Sequence, residues 1–596
     1  MKQYLKFLSL VWLSALLMAG CGMVTDGEYL DRENPDILSF FGPDGKAWLR
    51  VEIPVGSAKV HSRTDFSDGQ ADDYAIHHVM LVLFHGTAES NATVASTYQY
   101  TSWEQTIDDD TQVTALLQVN SDNIEHGDNI YLMAVINATP AVTAGMTFSE
   151  VAALTTDITV DHDGTDYYVM TNAPVTDAND GTGSVSTLVY MPPTYFFQTE
   201  EEARLNPATT ISVERAAAKV TVDVSNTLVY NVLGNQTIDF EKTDVQFSFS
   251  KVNNSTYLVR HVNAAWLPYH AASTGYRMIE ESPLPTGYYR LYWAEDPNYE
   301  NGTGLSTQKG GWNSMGKSMP ITENTTTVGA MTQANVTAVV VRIRVNGAKD
   351  FYTTSITGSD VIYQPPQNNL SEEGTSANQS FAPRRSAYVS VARTIDEYLR
   401  QWLWQTNADF RSWVNTYAAG ELRYVNIGVY ADSREIGGSG VANIQNRDDG
   451  VTVTQTARES GTDGANAFDA LNLNTYIKNN IKINYYWQGY MFYRVPIRHF
   501  TDEQTPWASE ATMSSSMPAA VYGTNNVLIE PDASNNYLGR YGVVRNNWYT
   551  VTVRTVNHVG EPIFPIPSTT DACDGVEQLL NTTLVISNWN EHEQDL

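Results

Sequence analysis

Cysteine is nearly missing from this chain of 596 residues, with only Cys21 and Cys573 present. Two thiols so far apart build no disulfide framework, and without a CxxC pair there is no thiol-redox or zinc-knuckle chemistry to read. Basic residues are also scarce: 36 Lys and Arg stand against 67 Asp and Glu, a formal charge of -31. That balance excludes a nucleic-acid partner, because binding phosphate backbones needs clustered cations. HExxH, GxSxG and Walker sequences are absent, so zinc-protease, hydrolase-elbow and nucleotide-binding readings lack their minimum parts. No cofactor and no metal site is expected. A glycosidase needs only two carboxylates that the fold brings together, and the sequence alone does not choose a pair.

What is present favours strands and turns. The chain holds 34 Tyr, 13 Trp, 39 Gly and 23 Pro, with abundant Thr, Val and Asn, which is the composition of an all-β protein with minor helices. Its length suits three or four domains at roughly 150 residues each. Lys2 and Lys6 precede an apolar run from Phe7 to Met18 that ends in Ala19-Gly20-Cys21. The run is too short for a membrane span and has the order of a signal peptide. With Cys21 directly after Ala-Gly, it resembles a bacterial lipoprotein signal over residues 1–20, in which Cys21 becomes the acylated mature N-terminus. Several acyl chains, palmitate among them, then hold the protein at a membrane where one alone does not.

After an acidic tether over residues 21–45, Lys46 to Arg63 reads KAWLRVEIPVGSAKVHSR. Leu49, Val51, Ile53 and Val55 alternate with polar neighbours, which predicts a strand with one buried face. Ser62-Arg63-Thr64 and a run of Asp, Ser and Gly to Asp73 follow, a turn-forming stretch open to proteases. A strand joined to its domain by a cuttable linker is removable. Its loss would leave a groove of apolar surface and unpaired backbone for another chain's strand.

Further strands are expected at His78 to Phe84, Thr114 to Val119 and Ile130 to Ile136, with short helical pieces at Phe148 to Leu154 and Thr199 to Leu205. A second module opens near Ser212, where Val213-Glu214-Arg215-Ala216-Ala217-Ala218-Lys219 runs into Val220-Thr221-Val222-Asp223-Val224. There Val220, Val222 and Val224 share one face. Strands are expected again at Val245 to Ser250, Tyr288 to Trp293, Val336 to Val345, Tyr424 to Tyr430, Ile481 to Tyr486, Met491 to Ile497, Trp548 to Val556 and Thr582 to Trp589. Asn298 to Thr332 and Gln364 to Ser386 read as long surface loops. Thr394-Ile395-Asp396-Glu397 has the form of a capping box, followed by Tyr398, Leu399, Trp402 and Leu403 at helical spacing with Ile395, a core stripe rather than a ligand box. Asp161 to Asp166 looks superficially like a calcium loop, but Gly164 comes too early and Asn172 stands where the bidentate acid belongs, so a turn is expected. His77 and His85 fall on one face of a strand but far apart, and with His78 they give no metal site.

The runs VERAAAKV at Val213 to Val220, YYWQGYMFYRVPIRH at Tyr485 to His499, YGVVRNNWY at Tyr541 to Tyr549 and LVISNW at Leu584 to Trp589, with the signal ending at Cys21, resemble a fimbrillin. Fimbrillins are structural subunits of type V pili, and the likeness is to the major subunit of the minor, or short, fimbriae. The resemblance implies a precursor exported as a lipoprotein to the cell outer membrane, with two transthyretin-like β-sandwich domains in tandem, over 46–208 and 209–596. It further implies that an Arg-specific extracellular protease cuts after the first strand, which places the cut between Arg63 and Thr64 and makes residues 46–63 the removable strand and cleavage loop. A neighbour's C-terminal strand, 582–591, then fills the groove. Leu584 and Ile586 favour one face of that donor and Val585 and Trp589 the other, so its register stays open. Copies of the chain itself, accessory anchor and tip subunits, the protease and the outer membrane are the implied partners, and the mature form is an extracellular fimbrium supporting adhesion. Two other readings compete: a tip or accessory subunit, or a monomeric glycan-binding surface lipoprotein; and a surface glycosidase.

Overall fold

A computed structural model gives the architecture. It describes residues 36–54, 73–101, 112–177, 185–206, 209–225, 245–262, 294–300, 308–327, 330–344, 350–355, 358–364, 394–429, 451–456, 461–499, 541–556, 558–565 and 580–588, with short pieces between them. Cys21, Val55, Arg63, Thr64, Trp589, the signal and most of the Gln364 to Ser386 run lie outside the described residues. The chain is built mostly of β-strands in several sheets, with few helices, as its composition implies.

The first sandwich comprises β1 (Lys46–Pro54), β2 (Val79–Gly86), β3 (Thr93–Tyr100), β4 (Gln112–Asn120), β5 (Asn129–Ile136), the hairpin β6 (Thr159–His162) and β7 (Thr165–Tyr168), β8 (Met170–Asn172), β9 (Thr209–Thr210) and β10 (Val213–Arg215). One sheet runs β9-β1-β4; the facing sheet runs β10-β8-β5-β2-β3. Their shared core takes Leu49, Val51 and Ile53 from β1, Val113, Leu117 and Val119 from β4, and Leu81, Leu83, Leu132 and Ile136 from the other layer. The far face of β2 and β5 is also covered, by Phe148 and Val151 of α1 (Phe148–Ala152) and by Leu258 and Val259. Buried on both sides, these strands read VMLVLF and IYLMAVI without alternation. α2 (Glu200–Leu205) is capped by Thr199, whose hydroxyl accepts from the Glu202 N–H.

The second sandwich comprises β11 (Ala217–Val224), β12 (Val245–Ser250), β13 (Lys309–Ser314), β14 (Ser318–Thr322), β15 (Ala338–Arg344), β16 (Tyr490–Pro496), β17 (Asn547–Val556) and β18 (Leu580–Asn588). β11 pairs β17 in parallel and β14 antiparallel. The opposing sheet runs β13-β12-β15-β16. Val220, Val222, Phe247, Val341, Tyr493, Tyr549 and Val551 fill the space between.

Three expectations are corrected. Thr209–Thr210 pairs with β1, and Val213–Arg215 pairs with Met170–Asn172, so the crossing to the second sandwich falls at Ala216 rather than 209. Asn298 to Thr332 is not all loop: β13 and β14 lie in it; KGGWNS lacks an alternating apolar face, and SMPIT offers only Met319 and Ile321 on one. The capping box at Thr394 does not close, since its hydroxyl is buried without a partner and makes no cap hydrogen bond.

The largest departure is residues 345–489. Arg344 and Tyr490 are cross-strand partners, so this whole stretch is inserted into the β15–β16 hairpin. Four helices, α3 (Ile395–Thr406), α4 (Ala408–Tyr417), α5 (Thr462–Asp469) and α6 (Leu473–Asn480), form a core of their own with neighbouring strands around Leu399, Leu403, Phe410, Val414 and Ile477. Only α3 is foreseen in the sequence, and its Ile395, Leu399, Trp402 and Leu403 are buried as the helical spacing requires.

Candidate functional site

β1 lies inside its sheet. β4 pairs antiparallel along its full length from Lys46↔Asn120 to Pro54↔Gln112, and β9 pairs parallel at Val51 and Glu52. Ala47, Leu49, Val51 and Ile53 are 0% exposed, while Arg50 and Glu52 between them are half-buried and pair with each other at 3.0 Å. The alternation read from the sequence is therefore a buried ladder along one edge of the core. Taking the strand away would expose that edge and leave β4's inner hydrogen-bonding groups unpaired.

At the other end of the chain, β18 pairs antiparallel with β17, from Asn547↔Asn588 to Val556↔Leu580. The register sets Leu584 across from Val551, Val585 across from Thr550 and Ile586 across from Tyr549. Among the described residues β18 pairs only with β17, so this strand folds at home in the isolated chain.

Between these two elements lies a buried ionic junction. Asp73, the first described residue after the segment that contains Arg63, is 4% exposed. Its carboxylate accepts from Lys219 Nζ at 2.5 Å, and its carbonyl accepts from Arg215 Nε at 2.7 Å. Lys219 sits 4.1 Å over the Trp548 ring, whose Nε1 donates to Thr221 Oγ1 at 2.7 Å. Arg260 grips Glu214 with two bonds of 2.8 and 2.7 Å. Arg545, 0% exposed, donates to Glu323 from Nε and from its backbone N–H, and to Thr256 Oγ1 and the Tyr257 carbonyl from Nη2. Charges this deep persist only when paired and hydrogen-bonded.

Three of the sequence runs singled out above meet here. The Asn546 N–H donates to the Ala217 carbonyl and its Oδ1 accepts from the Arg215 N–H; the Gly542 N–H donates to the Ile497 carbonyl. His499 Nδ1 lies 2.8 Å from Tyr549 Oη, which already accepts from the Val544 N–H, so the phenol donates its proton to a neutral imidazole. Burial, and then the Arg260 charge, hold His499 down to about 3. Its folded pKa lies below its ordinary value of 6.5, so the stability it contributes is complete above 6.5 and is lost as pH falls towards 3. The slope is about 1.4 kcal/mol per pH unit. His499→Gln is expected to flatten that part of the profile, measured as the difference in urea midpoints between variant and parent at pH 7 and pH 4.5.

The other candidates fall elsewhere. His85 is held by Asp128 at 2.8 Å and Thr93 at 3.0 Å, whereas His77 stacks on His162 at 4.0 Å. Among the described residues no three of His, Cys, Asp and Glu are placed to hold a metal ion. Asp161 to Asp166 forms the β6–β7 turn, with Asp163 at φ 55° and Gly164 at 84° and the Gly164 N–H donating to Asp161 Oδ1. Burial pushes Asp296 up to about 7, but at 3% exposure, with the Asn298 and Thr325 N–H groups closed around it, it meets no substrate.

Residues 524–595 match the family model described as major fimbrial subunit protein type IV, fimbrillin, C-terminal. The match takes in β17 and β18, with the YGVVRNNWY and LVISNW runs. No curated protein matches the chain. Among solved structures it is similar to a fimbrilin of Porphyromonas gingivalis, at 11% identity and TM-score 0.33, covering 91% of this chain and 98% of that one. A C-terminally truncated tip fimbrial protein of Porphyromonas gingivalis matches at 10% identity and TM-score 0.25, over 54% of this chain and 81% of that one. A fimbrial assembly protein of Parabacteroides distasonis matches at 12% identity and TM-score 0.21, over 50% and 96%. Superpositions this loose carry no function across.

Proposed function

We propose, from the premise that a chain with a fimbrillin C-terminal segment is a fimbrial subunit, that it is a structural subunit of a type V pilus that polymerises by protease-triggered strand exchange and supports adhesion. The observation that carries this is the interior placement of β1, a strand with one face fully buried and continuous with the segment that contains Arg63 and Thr64. Cutting between Arg63 and Thr64 frees β1 together with the acylated Cys21, so one cleavage opens the slot and releases the lipid anchor from the outer membrane. Residues 582–591 of a second copy then enter beside β4. Donor and slot are different surfaces, so the contact is head-to-tail and extends as a filament.

The reading also assigns a role to the pairing of β18 in its own chain. Before exchange the donor is held by β17, which keeps it off the slots of other copies until one opens. Anchor and tip subunits would cap the two ends of such a filament. The test is brief treatment of the full precursor with an Arg-specific protease. The expected result is a new N-terminus at Thr64 and a ladder of oligomers. A chain ending at residue 579 should be cut equally well and stay monomeric. An intact Arg63–Thr64 bond, or ladders from the shortened chain, would overturn the proposal.

A further inference from the structure

The outer face of the β13-β12-β15-β16 sheet carries two cations that lack a counter-charge. Arg342 and Arg344 are two residues apart on β15 and so share that face. The Arg342 guanidinium lies 4.2 Å from the Trp312 ring and 5.0 Å from the Tyr490 ring; Arg344 lies 5.4 Å from Tyr490. Arg342 donates to Gln246 Oε1, a neutral acceptor, from both Nε and Nη2. Arg344 Nε is buried with no hydrogen-bond partner. Among the described residues neither guanidinium has a carboxylate within ion-pair distance, in a chain whose acids outnumber its bases 67 to 36. Elsewhere three of the buried arginines, Arg260, Arg400 and Arg545, hold a carboxylate, while Arg215 and Arg494 donate to backbone carbonyls.

Half-buried, adjacent guanidiniums without an anion repel each other and are costly to desolvate. Burial, together with the neighbouring Arg344 charge, lowers Arg342 to about 10, in keeping with that cost. The rings beside them are partly exposed, and Trp487 stands next to Tyr490, with 6.5 Å between ring centroids. On the edge strand, Trp312 follows Gly310 and Gly311, which are exposed and have nothing within 4 Å of where a Cβ would sit. The two glycines add no side chain beside the indole.

We propose that this face is a binding site for an acidic sugar, a sialic or uronic acid at a glycan end, with its carboxylate on Arg342 and Arg344 and its ring against Trp312 and Tyr490. A carboxylate accepts charge-assisted hydrogen bonds from the terminal guanidinium nitrogens that Gln246 does not engage, and aromatic faces suit the C–H surface of a pyranose. Aromatic rings set beside the cations favour a sugar over an acidic peptide, which the charge alone would serve. The inference deepens the adhesion part of the reading above and is independent of polymer growth.

The test uses the uncut full chain on immobilised oligosaccharides ending in sialic acid, glucuronic acid or their neutral counterparts. Binding is expected to the acidic termini alone and to weaken with salt. Arg344→Gln, at a partly exposed position, is expected to bind about tenfold less tightly, the loss of one charge-assisted contact, with a melting temperature no lower than the parent's and its protease-induced ladder unchanged. Trp312→Ala is expected to lose binding at both acidic sugars. Equal binding of neutral and acidic sugars, an Arg344→Gln chain that binds like the parent, or binding of a polyglutamate peptide in place of the sugars would overturn the proposal. Ladders without sugar binding sink this site alone, and sugar binding without ladders sinks only the assembly reading.

Discussion

Arg545→Ala is expected to lower the stability of the full chain by about 3–5 kcal/mol, because it strands the Glu323 carboxylate in the interior without its cation. Both side chains are 0% exposed, and the same guanidinium holds Thr256 and the Tyr257 carbonyl, so three acceptors lose their donor together. Set against the 5–15 kcal/mol typical of folded domains, such a loss leaves little stability at 37 °C. Glu323→Gln in the Arg545→Ala background should recover part of it, since the leftover buried charge is gone. The measurement is a double-mutant cycle by urea unfolding at pH 7. A single-mutant cost below about 1 kcal/mol would mean that the junction is not a unit of stability.

A chain that begins after Pro54 is expected to lose the first sandwich and to regain it from a synthetic peptide of residues 46–54. Leu49, Val51 and Ile53 contribute about 5–9 kcal/mol gross by burial, and the ladder to β4 adds backbone hydrogen bonds. The shortened chain should show an early melting transition for this sandwich, with the second sandwich melting as in the parent. Adding the peptide should raise the early transition in proportion to the logarithm of its concentration. A Val51→Asp peptide, which carries a charge into the core, should have no effect. If the truncated chain melts like the parent, β1 is dispensable and the slot is not one.

The two sandwiches were legible to the degree that each strand had one wet face. β1 and β17 alternate, and their expected bounds lie within a residue of the observed ones; β11 begins three residues before the expected Val220, and Val245–Ser250 coincides. β13 escaped because an edge strand of Gly, Asn and Ser with one Trp has no apolar rhythm to find. The helices of the insert escape except for α3: TDGANAFD buries one side chain, Phe468, and LNTYIKNN two, Leu473 and Ile477, below what periodicity can resolve. At the candidate site, the buried ladder of β1 was visible in four alternating side chains. The junction was visible only as unusual runs. Nothing in VERAAAKV or YGVVRNNWY says that Asn546 will bond to Ala217, because those contacts span more than 300 residues. The clearest local sign was charge set among small or apolar neighbours, at Glu214, Arg215, Lys219 and Arg545, which is costly unless a distant partner exists.

The insert at 345–489 leaves and re-enters the sandwich at neighbouring positions, Arg344 and Tyr490, on adjacent strands. A segment with ends that close together can be exchanged for any other compact body with adjacent termini, and the strands that carry it keep their register. Changes inside this segment therefore leave the β15–β16 register untouched, and a foreign domain with adjacent termini spliced at this seam is expected to leave the sandwich as it is.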